Sequence, residues 1–399
     1  MREVHVSMTG AQGTDSRERV GIAKRAVMAL ARRAEAGDVG SRATPPRRVL
    51  VVDLDNLGDL LLATPAVRAL RHRFPAARLD ALVTTYAAPA WQGNPHIDEI
   101  LTCGKGVAAG PLWSRARLAW RLRQRRYDLG VILEAHWGYA GFAELLLAAA
   151  GIPRRLGRDL GKHRDLLTDA APVRQQHWID AYLDVVALAG ALPDGGGMDA
   201  HIRPEDAAAA AAWAKAHGAD RSPPLLLFPG GNQHLISRRW GAAGFAAVGD
   251  ALARKLGAPV VVIGGPQDAA VAGEVLRRMT LPAVSAAGAL SWGATGALLR
   301  GCRVFITNDS GPLHLAAAVG APTVAVFGPT DPAVFGPRNT RHTIVRAALP
   351  CSPCIRIGDF PACPIQPQEH CLLSVTPDMV LAAAAQLLAR TAPVPAGVP

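Results

Sequence analysis

Three short segments combine residues able to do chemistry with glycines that let a ligand come close. The first is Asp53-Leu-Asp-Asn-Leu-Gly-Asp59. Gly58 permits a tight turn, and Asp59 falls at a helix start, where a carboxylate can take the proton from an attacking hydroxyl. Capping of its own helix is the competing reading of Asp59. The second segment, Phe228-Pro-Gly-Gly-Asn-Gln-His-Leu-Ile-Ser-Arg-Arg-Trp240, puts Gly230 and Gly231 after a strand. Backbone amides there can approach phosphate oxygens, while Arg238 and Arg239 neutralise a diphosphate. A surface loop with solvated arginines is the alternative. The third, Thr307-Asn-Asp-Ser-Gly-Pro-Leu-His-Leu315, again leads from a strand into a helix. Asp309 or Ser310 can cap that helix, and the amides beyond Gly311 form an anion site. His314 suits contact with a phosphate or sugar, or a structural role. In Gly264-Gly-Pro-Gln-Asp268, Asp268 either meets a ribose hydroxyl or closes an ordinary turn.

The elements that position these segments follow a repeating strand-helix pattern. Arg48–Asp53 reads as a strand and Leu60–Arg73 as a helix, with further strands at Leu79–Val83, Glu99–Leu101 and Asp128–Leu133. Alternation of this kind implies a parallel sheet covered on both faces. Pro193, the glycines Gly195 to Gly197 and Pro204 then interrupt the pattern, so residues 193–205 read as a linker. Strands at Pro224–Phe228, Pro259–Ile263, Val304–Thr307 and Thr323–Phe327 follow, with helices at Gly244–Leu256, Asp268–Met279 and Leu313–Val319. The reading is therefore α/β: two doubly wound domains, residues 46–192 and 206–375, with ligands in a cleft at the carboxyl ends of the strands. Residues 1–45 read as a basic extension with an amphipathic helix near Val20–Glu35, and residues 376–399 as a C-terminal helix and tail.

Composition narrows the choice of partner. The formal charge of +11 favours anions, but Met1 to Arg48 holds ten basic residues against five acidic ones, leaving a modest +6 for the rest. No apolar run approaches the length of a membrane span, and arginines and lysines break up the start, so neither a span nor a signal peptide is expected. Cytosolic placement follows. No G-x-G-x-x-G, P-loop or G-x-S-x-G segment occurs. The six cysteines do not read as a disulfide scaffold. Cys351, Cys354, Cys363 and Cys371 lie close together in sequence as possible metal ligands, although their spacing is not that of a zinc ribbon. Arg115, Arg117, Arg121, Arg123, Arg125 and Arg126 form a basic run that either receives acidic groups of an acceptor or is a solvated helix face.

Taken in order, the Asp55-Asn-Leu-Gly-Asp59 opening with Thr64-Pro65, the Ser237-Arg-Arg-Trp240 segment, Asn308-Asp-Ser-Gly-Pro-Leu-His314 and Ala321-Pro-Thr-Val-Ala-Val-Phe-Gly-Pro-Thr330 resemble glycosyltransferase family 9, the ADP-heptose:lipopolysaccharide heptosyltransferases. The resemblance spans about Arg47 to Leu388. It implies a GT-B architecture, two Rossmann-like domains facing a cleft, and metal-independent, inverting transfer of heptose from ADP-heptose to a lipopolysaccharide inner-core acceptor. A transferase of the same fold with another sugar nucleotide, and a non-catalytic nucleotide- or glycan-binding protein, are the alternatives. By this resemblance Asp59 is the base. Gly230, Gly231, Arg238, Asp268, Asp309, Ser310, Gly311 and His314 hold the donor, and Arg115, Arg121 and Arg125 hold the acceptor. No cofactor is required and no nucleic acid is expected; the acceptor is lipid-linked, which brings peripheral contact with the inner membrane. Arg238 stands where the family has a lysine, which keeps the charge and changes its geometry.

Overall fold

Val49 to Val52 are fully buried on both sides of strand β1 (Arg48–Asp53), as a strand covered on both faces requires. Alternate residues enter two different apolar clusters, Val49 and Val51 on one face, Leu50 and Val52 on the other. The computed structural model describes residues 44–104, 106–134, 141–161, 163–231, 239–338, 340–355, 363 and 370–391. Within them the first half contains α1 (Leu57–Arg73), β2 (Arg78–Thr84), β3 (Glu99–Cys103), α2 (Leu112–Gln124), β4 (Leu129–Ile132), α3 (Phe142–Ala149), β5 (Arg154–Arg158), β6 (Asp169–Ala171) and α4 (Trp178–Ala187). The second half contains α5 (Pro204–Ala216), β7 (Leu225–Phe228), α6 (Ala242–Leu256), β8 (Val260–Val262), α7 (Ala269–Arg278), β9 (Ala283–Ser285), α8 (Trp292–Arg300), β10 (Val304–Asn308), α9 (Gly311–Ala318), β11 (Thr323–Val326), β12 (His342–Val345) and α10 (Pro377–Thr391).

Both sheets are six-stranded and parallel, in the orders β3-β2-β1-β4-β5-β6 and β12-β11-β10-β7-β8-β9. This is one connectivity used twice. In each sheet the strand order reverses beside the first strand, between β1 and β4 and between β7 and β10, and a crevice opens at that point at the carboxyl ends. The expected GT-B architecture is what the chain adopts. The second sheet alternates likewise, with Leu226 and Phe228 facing the cluster shared with the first lobe and Leu225 and Leu227 facing one closed by α6 and α10. That shared cluster joins α1 and α4 to α9 through Leu60, Trp178, Leu313 and Phe335. His177 adds a polar tie between the lobes: its Nδ1 accepts from the Ile179 amide at 3.2 Å, so its Nε2 carries the hydrogen donated to the Gly336 carbonyl at 2.7 Å.

Four strands went unread in the sequence: β5, β6, β9 and β12. The Arg-Arg-Leu-Gly-Arg sequence of β5 hides an inward residue, because Arg155 is buried with its guanidinium donating to the carbonyls of Leu166 and Ile152, both at 2.6 Å. Polarity here is neutralised locally. The 193–205 segment is also more structured than its glycines suggest. Arg68 of α1 donates to Asp194 at 2.9 Å, to Asp199 and to the Gly197 carbonyl, and Pro204 begins α5 instead of ending a loop. Of the expected N-terminal extension, everything before residue 44 lies outside the described residues, including the Val20–Glu35 helix. The C-terminal helix is present as α10, with Val380, Ala384 and Leu387 buried in the second core. No helix among the described residues is long and apolar enough to cross a membrane.

Glu134, just beyond β4, is buried. Burial first, then the neighbouring Asp55, Glu144 and Asp53 carboxylates, push its pKa well above the usual glutamate value. A carboxyl raised in this way favours the folded state when protonated, so its contribution is intact at acid pH and is lost as pH rises above the ordinary glutamate value. Glu134→Gln is therefore expected to raise the melting temperature near neutral pH, by about 2–4 °C per kcal/mol relieved. The gain should vanish near about pH 4, where both states of the wild type are protonated. A melting series against pH checks this, and an equal gain at every pH would disprove it.

Candidate active site

A cavity of about 530 Å³ lies between the lobes. The first lobe contributes the start of α1, Asn56 to Asp59, and Tyr86 beyond β2; the second contributes Gly231, Gly264 to Asp268, Trp292, Asp309 to Pro312 and His314. Both walls are built from carboxyl ends of strands and the helix starts that follow them. The starts of α1 and α9 meet here. A Cβ on Gly58 would sit 2.9 Å from His314 Cδ2 and 3.0 Å from the Gly311 Cα, so only a glycine lets the two helices approach this closely. Of their first-turn amides, those of Asp59 and Leu313 donate to the N-cap carbonyls of Asn56 and Ser310 at 3.1 and 3.0 Å and Pro312 has no N–H, which leaves Leu57, Gly58 and Gly311 without an intrahelical acceptor; both macrodipoles are positive at this end, which suits an anion.

Asp59 is the third residue of α1 and lines the cavity. Its Oδ2 accepts from the Asn56 backbone amide at 3.2 Å and from Asn56 Nδ2 at 3.3 Å. The carboxylate supports its own helix start, as the capping reading has it, and it also faces the ligand space. On the opposite wall, Asp309 accepts from the Thr330 hydroxyl at 2.6 Å. Ser310 occupies the N-cap position of α9, but its hydroxyl donates backwards to the Asn308 carbonyl at 3.2 Å. The expected side-chain cap by Ser310 is therefore replaced by a bond to the strand. His314 is buried against Gly58 and lines the same wall.

The glycine loop after β7 is held from two sides. Asn308 Nδ2 donates to the carbonyls of Pro229 and Gly230, each at 3.0 Å, and Asn308 Oδ1 accepts from the Trp240 amide at 2.9 Å. Asp268 accepts from the amides of Gly265 at 3.0 Å and Gly231 at 3.4 Å, drawing two glycine loops together. A Cβ on Gly230 would fall 2.2 Å from Asp268 Oδ1, which explains the glycine there. Burial raises the Asp268 pKa against the opposing pull of these amides and Arg239. Asp268 thus ties the loops and also lines the cavity. Arg239 closes on the Gly231 carbonyl. Arg238 lies outside the described residues.

The three acceptor arginines are not at this cavity. Arg125 forms a two-pronged ion pair with Glu99, at 2.7 Å to each oxygen, and reaches Asp80 at 3.3 Å. The reason is direction: α2 runs back antiparallel to the strands, so its last turn lies over their amino ends, opposite the cleft. Arg115 is half-buried and reaches the Ala108 carbonyl at 3.5 Å, and Arg121 is exposed. Of the cysteines, Cys351, Cys354, Cys363 and Cys371 form no disulfide, and no group of three or more potential ligands capable of holding a metal occurs among the described residues.

Tyr86 and Trp292 were not singled out in the sequence. Each is a lone aromatic beyond a strand end, and Trp292 follows β9, itself unread. Arg158, at the carboxyl end of β5, also escaped notice: it is buried, its guanidinium lies 4.6 Å from the centre of the Trp178 ring, and burial lowers its pKa.

Comparison with known proteins agrees with this geometry. Residues 115–363 match the model of glycosyltransferase family 9 (heptosyltransferase). The chain is similar to lipopolysaccharide heptosyltransferase 2 of Salmonella typhimurium, 26% identical over 351 residues that cover 84% of this chain and 96% of that protein. It is also similar to lipopolysaccharide heptosyltransferase 3 of Escherichia coli K12, 30% identical over 292 residues, covering 70% and 82% respectively. Among solved structures, a family 9 glycosyltransferase of Veillonella parvula superposes with a TM-score of 0.73 at 25% identity, covering 86% of this chain and 98% of that one. The Escherichia coli ADP-heptose lipopolysaccharide heptosyltransferase II superposes at 0.69 and 22% identity, covering 86% and 99%, and bears on the fold alone. With the family model matching more than half its length, the chain belongs to glycosyltransferase family 9 and is a glycosyltransferase enzyme.

Proposed function

We propose that this enzyme moves a heptose from ADP-heptose to the inner core of a lipopolysaccharide, in one displacement with inversion. The observation that carries the proposal is the meeting of Asp59 and Gly58, on one wall of the cleft, with the start of α9 and its Gly311 amide on the other. Asp59 takes the proton of the acceptor hydroxyl as its oxygen bonds to the anomeric carbon. The bond from that carbon to the diphosphate oxygen breaks, and ADP departs with the electron pair. Negative charge gathering on the diphosphate is met by helix-start amides and by Arg238 and Arg239 of the segment after the glycine loop. Residues 46–192 then form the acceptor domain and 206–375 the donor domain, joined by 193–205. The relatives described above are named for lipopolysaccharide heptosyl transfer, which supports this choice of sugar and acceptor.

Calorimetry against a panel of sugar nucleotides tests the donor. ADP-heptose is expected to bind, and NMR of the product should give the anomeric configuration opposite to that of the donor. Binding of UDP- or GDP-sugars with no ADP-sugar bound would overturn the assignment. Because charge stabilisation here is assigned to side chains and amides, transfer is expected to be unchanged by EDTA; loss of rate on chelation, restored by a divalent ion, would contradict that.

A further inference from the structure

The outer face of α2 carries a feature that the transfer reaction does not use. The helix buries Leu118, Ala119 and Leu122 against the first sheet, and on its opposite side exposes Trp113 at 68% and Trp120 at 61%. No other tryptophan among the described residues is exposed. Seven residues apart, the two indoles differ by only about 20° around the helix and stand about 10 Å apart along it. Arg117 and Arg121 flank them on one side and Arg123 on the other; all three are exposed and form no ion pair among the described residues. The helix contains no acidic residue.

We infer that this face lies on an anionic lipid bilayer, with the indoles at the boundary between headgroups and acyl chains and the arginines among the lipid phosphates. Tryptophan is favoured at that depth because its ring is apolar and its N–H is polar, and arginine spans the same boundary by extending its charged end outwards. Charge decides between possible occupants. A second copy of the chain would set arginines against arginines, and residues 1–45 are themselves basic, so neither complements the face. An acidic surface does. The inference rests on the proposed lipid-linked acceptor only for its purpose, since such an acceptor would be presented at this surface; lipid binding is measured without any transfer assay, so either reading can fail alone.

The test is co-sedimentation of the full chain with vesicles of phosphatidylcholine alone and of phosphatidylcholine with phosphatidylglycerol, together with tryptophan fluorescence. Binding is expected only to the anionic vesicles, with a blue shift of the emission and weakening as salt is raised. W113S/W120S should lower partitioning by at least about tenfold, and R117Q, R121Q and R123Q by about fivefold each. Melting temperature and donor affinity should match the wild type in all of them. Undiminished vesicle binding by these variants overturns the inference, as does loss of binding only when residues 1–45 are removed. A wild-type dimer that W113S/W120S converts to monomer assigns the face to a second copy and overturns it too, as does binding of RNA in place of vesicles that is lost in the same variants.

Discussion

Asp59→Asn is expected to lower kcat by about 10²- to 10⁴-fold while leaving donor affinity essentially unchanged. The substitution separates the two duties of this side chain. An amide oxygen at position 59 can still accept from the Asn56 backbone amide, as Asp59 Oδ2 does at 3.2 Å, so the start of α1 is retained. What is lost is the ability to hold a proton taken from the acceptor. Asp59→Ala removes both functions and should cost about 0.5–2 kcal/mol of stability in addition to the lost rate. The measurements are single-turnover rates, donor calorimetry and melting curves of both variants. If Asp59→Asn turns over like the wild type and only Asp59→Ala is impaired, Asp59 is a helix cap and the base lies elsewhere.

Gly58→Ala should be nearly as damaging, although it deletes nothing. Gly58 lies in the first turn of a helix, so its value is the space it leaves rather than any unusual backbone angle. An added Cβ meets His314 Cδ2 at 2.9 Å and the Gly311 Cα at 3.0 Å. The imidazole can move aside, but Gly311 is the backbone of α9, so the two helix starts must part. Separation of the opposing walls by a fraction of an ångström is expected to lower kcat/KM by up to about 100-fold, with about 1–3 kcal/mol lost from overpacking. Gly58→Ala/His314→Ala relieves the first contact and not the second, so partial recovery is the expected result. Wild-type kcat/KM in Gly58→Ala would show that this approach of α1 to α9 does not matter for transfer.

Much of the architecture was legible because its signals are local. Uninterrupted apolar runs such as Val49 to Val52 and Leu225 to Phe228 announce strands buried on both faces, Gly230 and Asp309 sit just past strand ends, and Asp59 sits in the first turn of the helix that follows a strand. β5 was illegible for the opposite reason, since the carbonyls that satisfy Arg155 come from residues 152, 153 and 166 and leave no mark on the strand itself. Short strands with polar or small residues, such as β9, carry too few apolar positions to stand out.

The amino-acid order alone therefore determined the two-lobed α/β plan and the glycine-and-acid segments of the cleft, because propensity, apolar runs and turn chemistry act over a few residues, while the family was read from the resemblance of its ordered motifs. Only the tertiary structure decided what those residues touch. It turned Asp268 into a tie between two glycine loops, sent Arg125 to Glu99 at the far end of the sheet, set Gly58 where the start of α1 meets that of α9 and left Trp113 and Trp120 facing outwards. Each of these depends on the direction of a helix over a sheet or on a partner far away in sequence, and spacing along a chain contains neither.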